Sequence, residues 1–128
     1  MTGAARPRVL IVEDNFLVNE TIVEACREWG HEAVGVLDAA AAAAHVEGDA
    51  FGLLIVDHGL PGGESGEEVL RHYRSRNPSG AALVISGMPA PSDLPARSVR
   101  FLQKPFTVTQ LGHALSLLDL APAPRAVA

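Results

Sequence analysis

The sequence predicts a single α/β domain: a doubly wound, five-stranded parallel sheet with helices on both faces. Two observations predict it. Short, β-branched apolar runs alternate with helix-like stretches along the whole chain, the pattern that strand–crossover–strand units leave in a sequence. Three of those runs also end on residues able to handle a metal-bound phosphate. Val9-Leu10-Ile11-Val12 leads into Glu13-Asp14, Leu53-Leu54-Ile55-Val56 into Asp57, and Val99 to Gln103 into Lys104-Pro105. In such sheets ligands bind outside the carboxyl ends of the strands, so three carboxylates and one ammonium are expected around one crevice. Carboxylates gathered there repel one another unless a hard divalent cation joins them. Mg2+ prefers a few carboxylates together with water and phosphate oxygens. Lys104 is the only lysine in the chain.

The elements follow in order. After the first strand, Phe16, Leu17, Val18, Ile22, Val23, Cys26 and Trp29 recur at helical spacing, and Gly30 supplies the stop. Ala33 to Leu37 reads as a second short strand. Asp38 caps a helix of alanines ending near Gly48. The third strand ends at Asp57. A loop rich in glycine and proline, His58 to Ser65, feeds a helix from about Gly66 to Arg76, and Asn77-Pro78-Ser79-Gly80 is a turn. Ala81 to Ile85 is a fourth strand ending on Ser86, and the fifth closes at Lys104-Pro105. Thr107-Val108-Thr109-Gln110 has the form of a capping box and opens a last helix to about Leu120. Residues 1–7 and 121–128 read as tails around a domain spanning 8–120.

Composition excludes several functions. A chain of 128 residues, 48% hydrophobic, carries one core and is not disordered. No apolar stretch approaches the ~20 residues that span a bilayer, and the N-terminus lacks the apolar region of a secretory signal. No membrane association is expected. Cys26 is the only cysteine, so neither an intrachain disulfide nor a cysteine-built metal site is available, which fits a reducing cytoplasm. The formal net charge of −5 argues against a nucleic-acid surface. Arg71, Arg74 and Arg76 cluster on one helix and read as a solvated face. The five histidines show no metal-ligand spacing and read as surface or boundary residues, with His58 beside Asp57 the one that could tune the site. Gly59, Gly62, Gly63 and Gly66 match no phosphate-binding or nucleophile-elbow pattern and read as loop flexibility alone.

An acidic pair after strand one, a lone Asp after strand three, Ser after strand four and Lys-Pro after strand five together resemble a two-component response-regulator receiver domain. The segments carrying the resemblance are Val9 to Asn15, Leu54 to Pro61, Val84 to Gly87 and Phe101 to Phe106. It implies a flavodoxin-like sheet of order 2-1-3-4-5. It implies a phosphoacceptor at Asp57 that attacks the phosphorus of a phosphohistidine. Glu13, Asp14 and Asp57, with the backbone carbonyl of Gly59, would hold Mg2+ directly or through water. Lys104 and Ser86 would each meet a phosphoryl oxygen, Ser86 and Phe101 would act as switch residues, and Lys104-Pro105 would be cis. The implied partner is a histidine kinase or histidine phosphotransfer protein, with no direct nucleic acid contact and a monomeric or weakly dimeric state. The implied chain is no enzyme in the ordinary sense, since it turns over only its own phosphate.

Each residue alone has a plainer explanation: a strand-ending Asp, an acidic pair favoured by a helix dipole, a turn Ser, a core Phe. Their joint occurrence in chain order argues for the site. A metal-dependent phosphatase with an Asp nucleophile is the rival from another class, but it needs a second Asp two residues on, where this chain has Gly59. A degenerate, binding-only receiver is disfavoured by the intact set. With no DNA-binding module after Leu120, direct transcriptional output is not expected.

Two departures from the family pattern stand out. The loop Pro61 to Gly66 is one residue longer than usual. The segment between Ser86 and Lys104 is about a turn short and carries Pro89, Pro91 and Pro95. Proline inside a helix costs about 3 kcal/mol, so the usual fourth helix is expected to be short or missing, with residues 88–96 forming a loop. The family's usual dimer face is then in doubt.

Overall fold

The computed structural model describes residues 6–60, 65–89 and 98–118. Their elements, in chain order, are β1 (Val9–Val12), α1 (Phe16–Glu28), β2 (Ala33–Val36), α2 (Ala39–Gly48), β3 (Leu53–Asp57), α3 (Gly66–Arg76), β4 (Ala81–Ser86), β5 (Val99–Gln103) and α4 (Val108–Ser116). The strands form one all-parallel sheet in the order β2-β1-β3-β4-β5. The expected fold class is thus the observed one. β2 stops at Val36, one residue earlier than expected, and α4 ends at Ser116. Among the described residues no helix lies between β4 and β5. Met88 and Pro89 are irregular, and the rest of the expected loop, from residue 90, lies outside the described residues. So does the whole of the lengthened loop up to residue 64.

Local chemistry sets the helix starts. The side chains of Asn15 and Asp38 accept hydrogen bonds from the backbone of Val18 and Ala41 at 3.0 and 2.8 Å. Ser65 with Glu68, and Thr107 with Gln110, form reciprocal capping boxes. Each such cap contributes about 1 kcal/mol. Gly30 follows α1 with φ of 92°, a conformation other residues avoid.

The strand side chains alternate between two cores. Val9, Ile11, Ile55, Leu83 and Ile85 face α1 and α4, meeting Ile22, Cys26, Leu111 and Leu115. Leu10, Val12, Leu54, Val56 and Val84 face α2 and α3, meeting Ala42, Val46, Val69 and Tyr73. β1, β3 and β4 are therefore buried on both sides, as continuous apolar runs in parallel sheets are. No helix among the described residues is long and apolar enough to cross a membrane.

His31 departs from the surface reading. It is buried, and its Nδ1 lies 2.8 Å from the Pro7 carbonyl oxygen. A bond across 24 residues has no local signature in the sequence.

Burial also governs Cys26 and Tyr73. The Cys26 thiol is pushed up from 9.0 to about 12. The Tyr73 hydroxyl, which donates to the Ala81 carbonyl at 2.9 Å, is pushed up from 10.0. An acid whose pKa is raised by folding leaves stability unchanged below its unfolded value. Above that value the unfolded chain ionises first, and stability falls. The thiol's window runs from 9.0 to about 12, and the tyrosine's opens at 10.0. The melting temperature is expected to fall steadily above pH 9, and less steeply in Cys26→Ala. At pH 8 the native thiol should resist a disulfide reagent until urea unfolds the chain; prompt labelling of native protein would contradict this.

Candidate functional site

Register brings the functional side chains together. Val12 lies opposite both Val36 and Val56, Asp57 opposite Ile85, and Ser86 opposite Gln103, so β1, β3, β4 and β5 end side by side. Backbone bonds close the edge: His58 N–H donates to the Ile85 carbonyl and Lys104 N–H to the Ser86 carbonyl, each at 2.8 Å. Glu13 and Asp57 are buried and Asp14 is exposed. One carboxylate oxygen from each of the three lies within 4.8 Å of the others.

Lys104 reaches into this group from the end of β5. Its Nζ donates to Asp57 Oδ2 at 3.0 Å and stands 2.5 Å from Glu13 Oε1. Asp57 Oδ1 accepts from Gly59 N–H at 3.1 Å, and Glu13 Oε2 from Asn15 N–H at 2.9 Å. Glu13 Oε1 is buried, and among the described residues its cationic neighbour is the Lys104 ammonium. Ser86 is buried, and its Oγ accepts from Met88 N–H at 3.0 Å. The Lys104-Pro105 peptide is cis, as the resemblance implies.

Charge in the site is unbalanced. Burial raises the Glu13 carboxyl above its ordinary value; the bonds from Lys104 and Asn15 oppose this, and the neighbouring Asp57 and Asp14 add to it. Burial also works against the Lys104 ammonium, but the Glu13 and Asp57 carboxylates outweigh it and hold its pKa above the usual lysine value. Three formal negative charges face one positive charge. Three carboxylates that bring one hard oxygen donor each within 4.8 Å of the others, against a single ammonium, form a set that fits a small divalent cation.

The remaining predicted residues take less central positions. Phe101 is half-buried on β5, opposite Val84, and packs against the α2–α3 core. Gly59 is exposed, with open space where a side chain would project. His58 Nε2 lies 3.4 Å from Glu67 Oε1 on the surface, an exposed pair.

Three supporting residues escaped the sequence reading. Gly66 is not there for flexibility alone. A Cβ on it would lie 2.3 Å from the Asp57 carbonyl oxygen and 2.9 Å from His58 Cα, so α3 begins pressed against the end of β3. Ser65 caps that helix, and its Ser-x-x-Glu signature was legible but lay inside a segment read only as loop. Asn19 is buried beneath Glu13 and donates to the carbonyls of Glu13 and Val36.

A family model described as the response regulator receiver domain matches residues 9–116. The chain belongs to that family. Solved structures agree on the fold. A response regulator receiver protein from Sinorhizobium medicae WSM419 is 25% identical, with a TM-score of 0.77 covering 88% of this chain and 94% of that one. The chemotaxis response regulator CheY4 of Vibrio cholerae is 22% identical, with a TM-score of 0.78 over 88% and 99% of the two chains. NtrX from Brucella abortus is 23% identical, with a TM-score of 0.73 over 89% of this chain but only 27% of its own. No curated protein matches significantly.

Around the receiver's carboxylates the rim is apolar on one side. Phe16 and Leu17 on the first turn of α1 are 59% and 73% exposed. Leu17, Val18, Thr21 and Ile22 form a shallow groove with Pro105 and Phe106 that runs up to Lys104. A second cleft, of about 540 Å³, lies at the opposite, amino ends of β3 and β4. There Tyr73 and Asn77 are already bonded to the Ala81 and Phe51 carbonyls, and the lining carboxylates Glu47 and Asp49 are paired with His72, Arg76, His45 and Arg8.

Proposed function

We propose that this receiver accepts a phosphoryl group on Asp57 from the phosphohistidine of a histidine kinase or histidine phosphotransfer protein and relays the signal by a change of surface. The observation that carries the reading is the Lys104 ammonium on Asp57 Oδ2, with Glu13 and Asp14 alongside. An Asp57 carboxylate oxygen attacks phosphorus, the O–P bond forms, the P–N bond breaks, and the imidazole leaves as it takes a proton. Glu13, Asp14 and Asp57, with the Gly59 carbonyl, would hold Mg2+, which would neutralise charge on the phosphoryl oxygens during transfer. Lys104 follows the new negative charge as a mobile point charge on its flexible stem. The Ser86 hydroxyl, whose proton meets no acceptor among the described residues, donates to a second phosphoryl oxygen. Movement of Ser86 shifts the packing against Phe101 on the adjacent strand. Gly59, two positions after Asp57, cannot serve as the acid that a phosphatase of this chemistry requires.

The test is phosphorylation of the intact protein by a small phosphodonor, with and without Mg2+. The expected product is acid-stable and base-labile and requires the metal; equal labelling in the presence of a chelator would overturn the reading.

Phosphate lifetime follows from two side chains. Gly59 and the 70%-exposed Met88 stand where family members carry groups that orient the attacking water, and neither can hydrogen-bond through its side chain. Space at Gly59 admits a larger residue. Phosphate decay is therefore expected to be faster in Gly59→Asn with Met88→Glu than in the wild type. Equal or slower decay in the double variant would count against this.

A further inference from the structure

Asn19 lies on α1 just beneath the acidic loop. It is 6% exposed, and its Nδ2 donates to the Glu13 carbonyl at 3.1 Å and to the Val36 carbonyl at 2.8 Å. The Val36 carbonyl also accepts from Glu13 N–H at 3.2 Å. One amide thus ties the end of β2 to the peptide unit that joins Glu13 to Asp14. Its fit depends on a missing side chain across the way. A Cβ on Gly35 would lie 2.2 Å from Asn19 Oδ1 and 2.8 Å from Val23 Cγ2. Gly35 does not occupy the left-handed region, so clearance and not backbone conformation is what calls for glycine there.

A leucine has the same branched heavy-atom skeleton as asparagine but would donate to neither carbonyl, leaving buried acceptors undersatisfied. The orientation of the Glu13 carbonyl fixes the peptide plane, and that plane aims the Glu13 and Asp14 side chains toward Asp57. We infer that Asn19 is a positioning residue for the metal-ligating loop and that Gly35 provides the clearance it needs. The inference rests on the reading that Glu13, Asp14 and Asp57 hold a divalent cation.

The experiment measures Mg2+ affinity by calorimetry and stability by urea unfolding on the full chain. The variants are Asn19→Leu, Gly35→Ala and the double variant Asn19→Ala with Gly35→Ala. Loss of an outer-shell partner typically weakens metal binding ~10- to 100-fold. Asn19→Leu and Gly35→Ala are each expected to weaken Mg2+ by about tenfold or more. In the double variant the new methyl occupies room left by the shortened side chain. Its urea midpoint is expected to recover toward wild type while its metal affinity stays low. Affinity within twofold of wild type in Asn19→Leu overturns the inference, as does affinity that returns together with stability in the double variant. If Gly35→Ala does not fold, Asn19→Leu decides alone. A wild-type chain that binds no Mg2+ overturns the metal reading itself; equal binding by wild type and Asn19→Leu overturns only the role of Asn19.

Discussion

Asp57→Asn is expected to abolish phosphate incorporation from a small phosphodonor, reducing label to background in the presence of saturating Mg2+. The carboxamide is close to the same shape, so the fold is expected to persist and the loss to be chemical. An amide oxygen is a poor nucleophile, and the Lys104 ammonium loses one of its two anionic partners. The remaining carboxylates at Glu13 and Asp14 cannot substitute. Glu13 is buried with one oxygen bonded to Asn15, and its carboxyl is raised by burial. Borohydride reduction of labelled wild type, followed by peptide mass mapping, should convert position 57 alone to homoserine. Undiminished label in Asp57→Asn, or a second reduced site in wild type, would sink the assignment.

The second large effect is expected at Gly66, which holds no reactive group. In Gly66→Ala the new methyl meets the Asp57 carbonyl oxygen at 2.3 Å and the Asp57 carbonyl carbon at 3.0 Å. These are backbone atoms of a central strand, so no rotamer change relieves the contact. The start of α3 must retreat, and the capping box at Ser65 must move with it. Overpacking of this kind costs about 1–3 kcal/mol. Because the collision is at the peptide of Asp57, the proposed phosphoacceptor, displacement by a fraction of an ångström is also expected to slow phosphorylation by roughly tenfold or more. Gly48→Ala is the control. Nothing lies within 4 Å of its added Cβ at the end of α2. There the change is expected to be neutral or stabilising by up to ~1 kcal/mol. Equal urea midpoints and equal phosphorylation rates for the two variants would remove Gly66 from this account.

The parts of the site that were legible in the sequence are those that lie at strand ends. Glu13, Asp14, Asp57 and Ser86 end or follow apolar runs that are buried on both faces, Lys104 follows the partly exposed edge strand β5, and parallel pairing brings these ends together. Helix starts at Asp38 and Thr107 were legible for a similar reason, since a cap and its target are neighbours in the chain. Residues whose partners are distant in sequence were not. Asn19 looks like one more polar helix residue until β2 brings Val36 against it. Gly66 looks like loop punctuation until α3 docks on Asp57. His31 gains its meaning only from Pro7. In each case the deciding quantity is a distance between elements, which hydrophobic period and local propensity do not encode.

The burial of β1, β3 and β4 on both faces has a consequence for how such a protein can diversify. Every apolar position in those strands faces one core or the other, so the floor beneath the carboxylates tolerates little drift. Phe16, Leu17 and Met88 stand at the lip, largely in solvent, and can vary without touching that floor. After gene duplication, daughter copies can keep the same reaction while their lips diverge, each copy becoming insulated from its sibling's circuit.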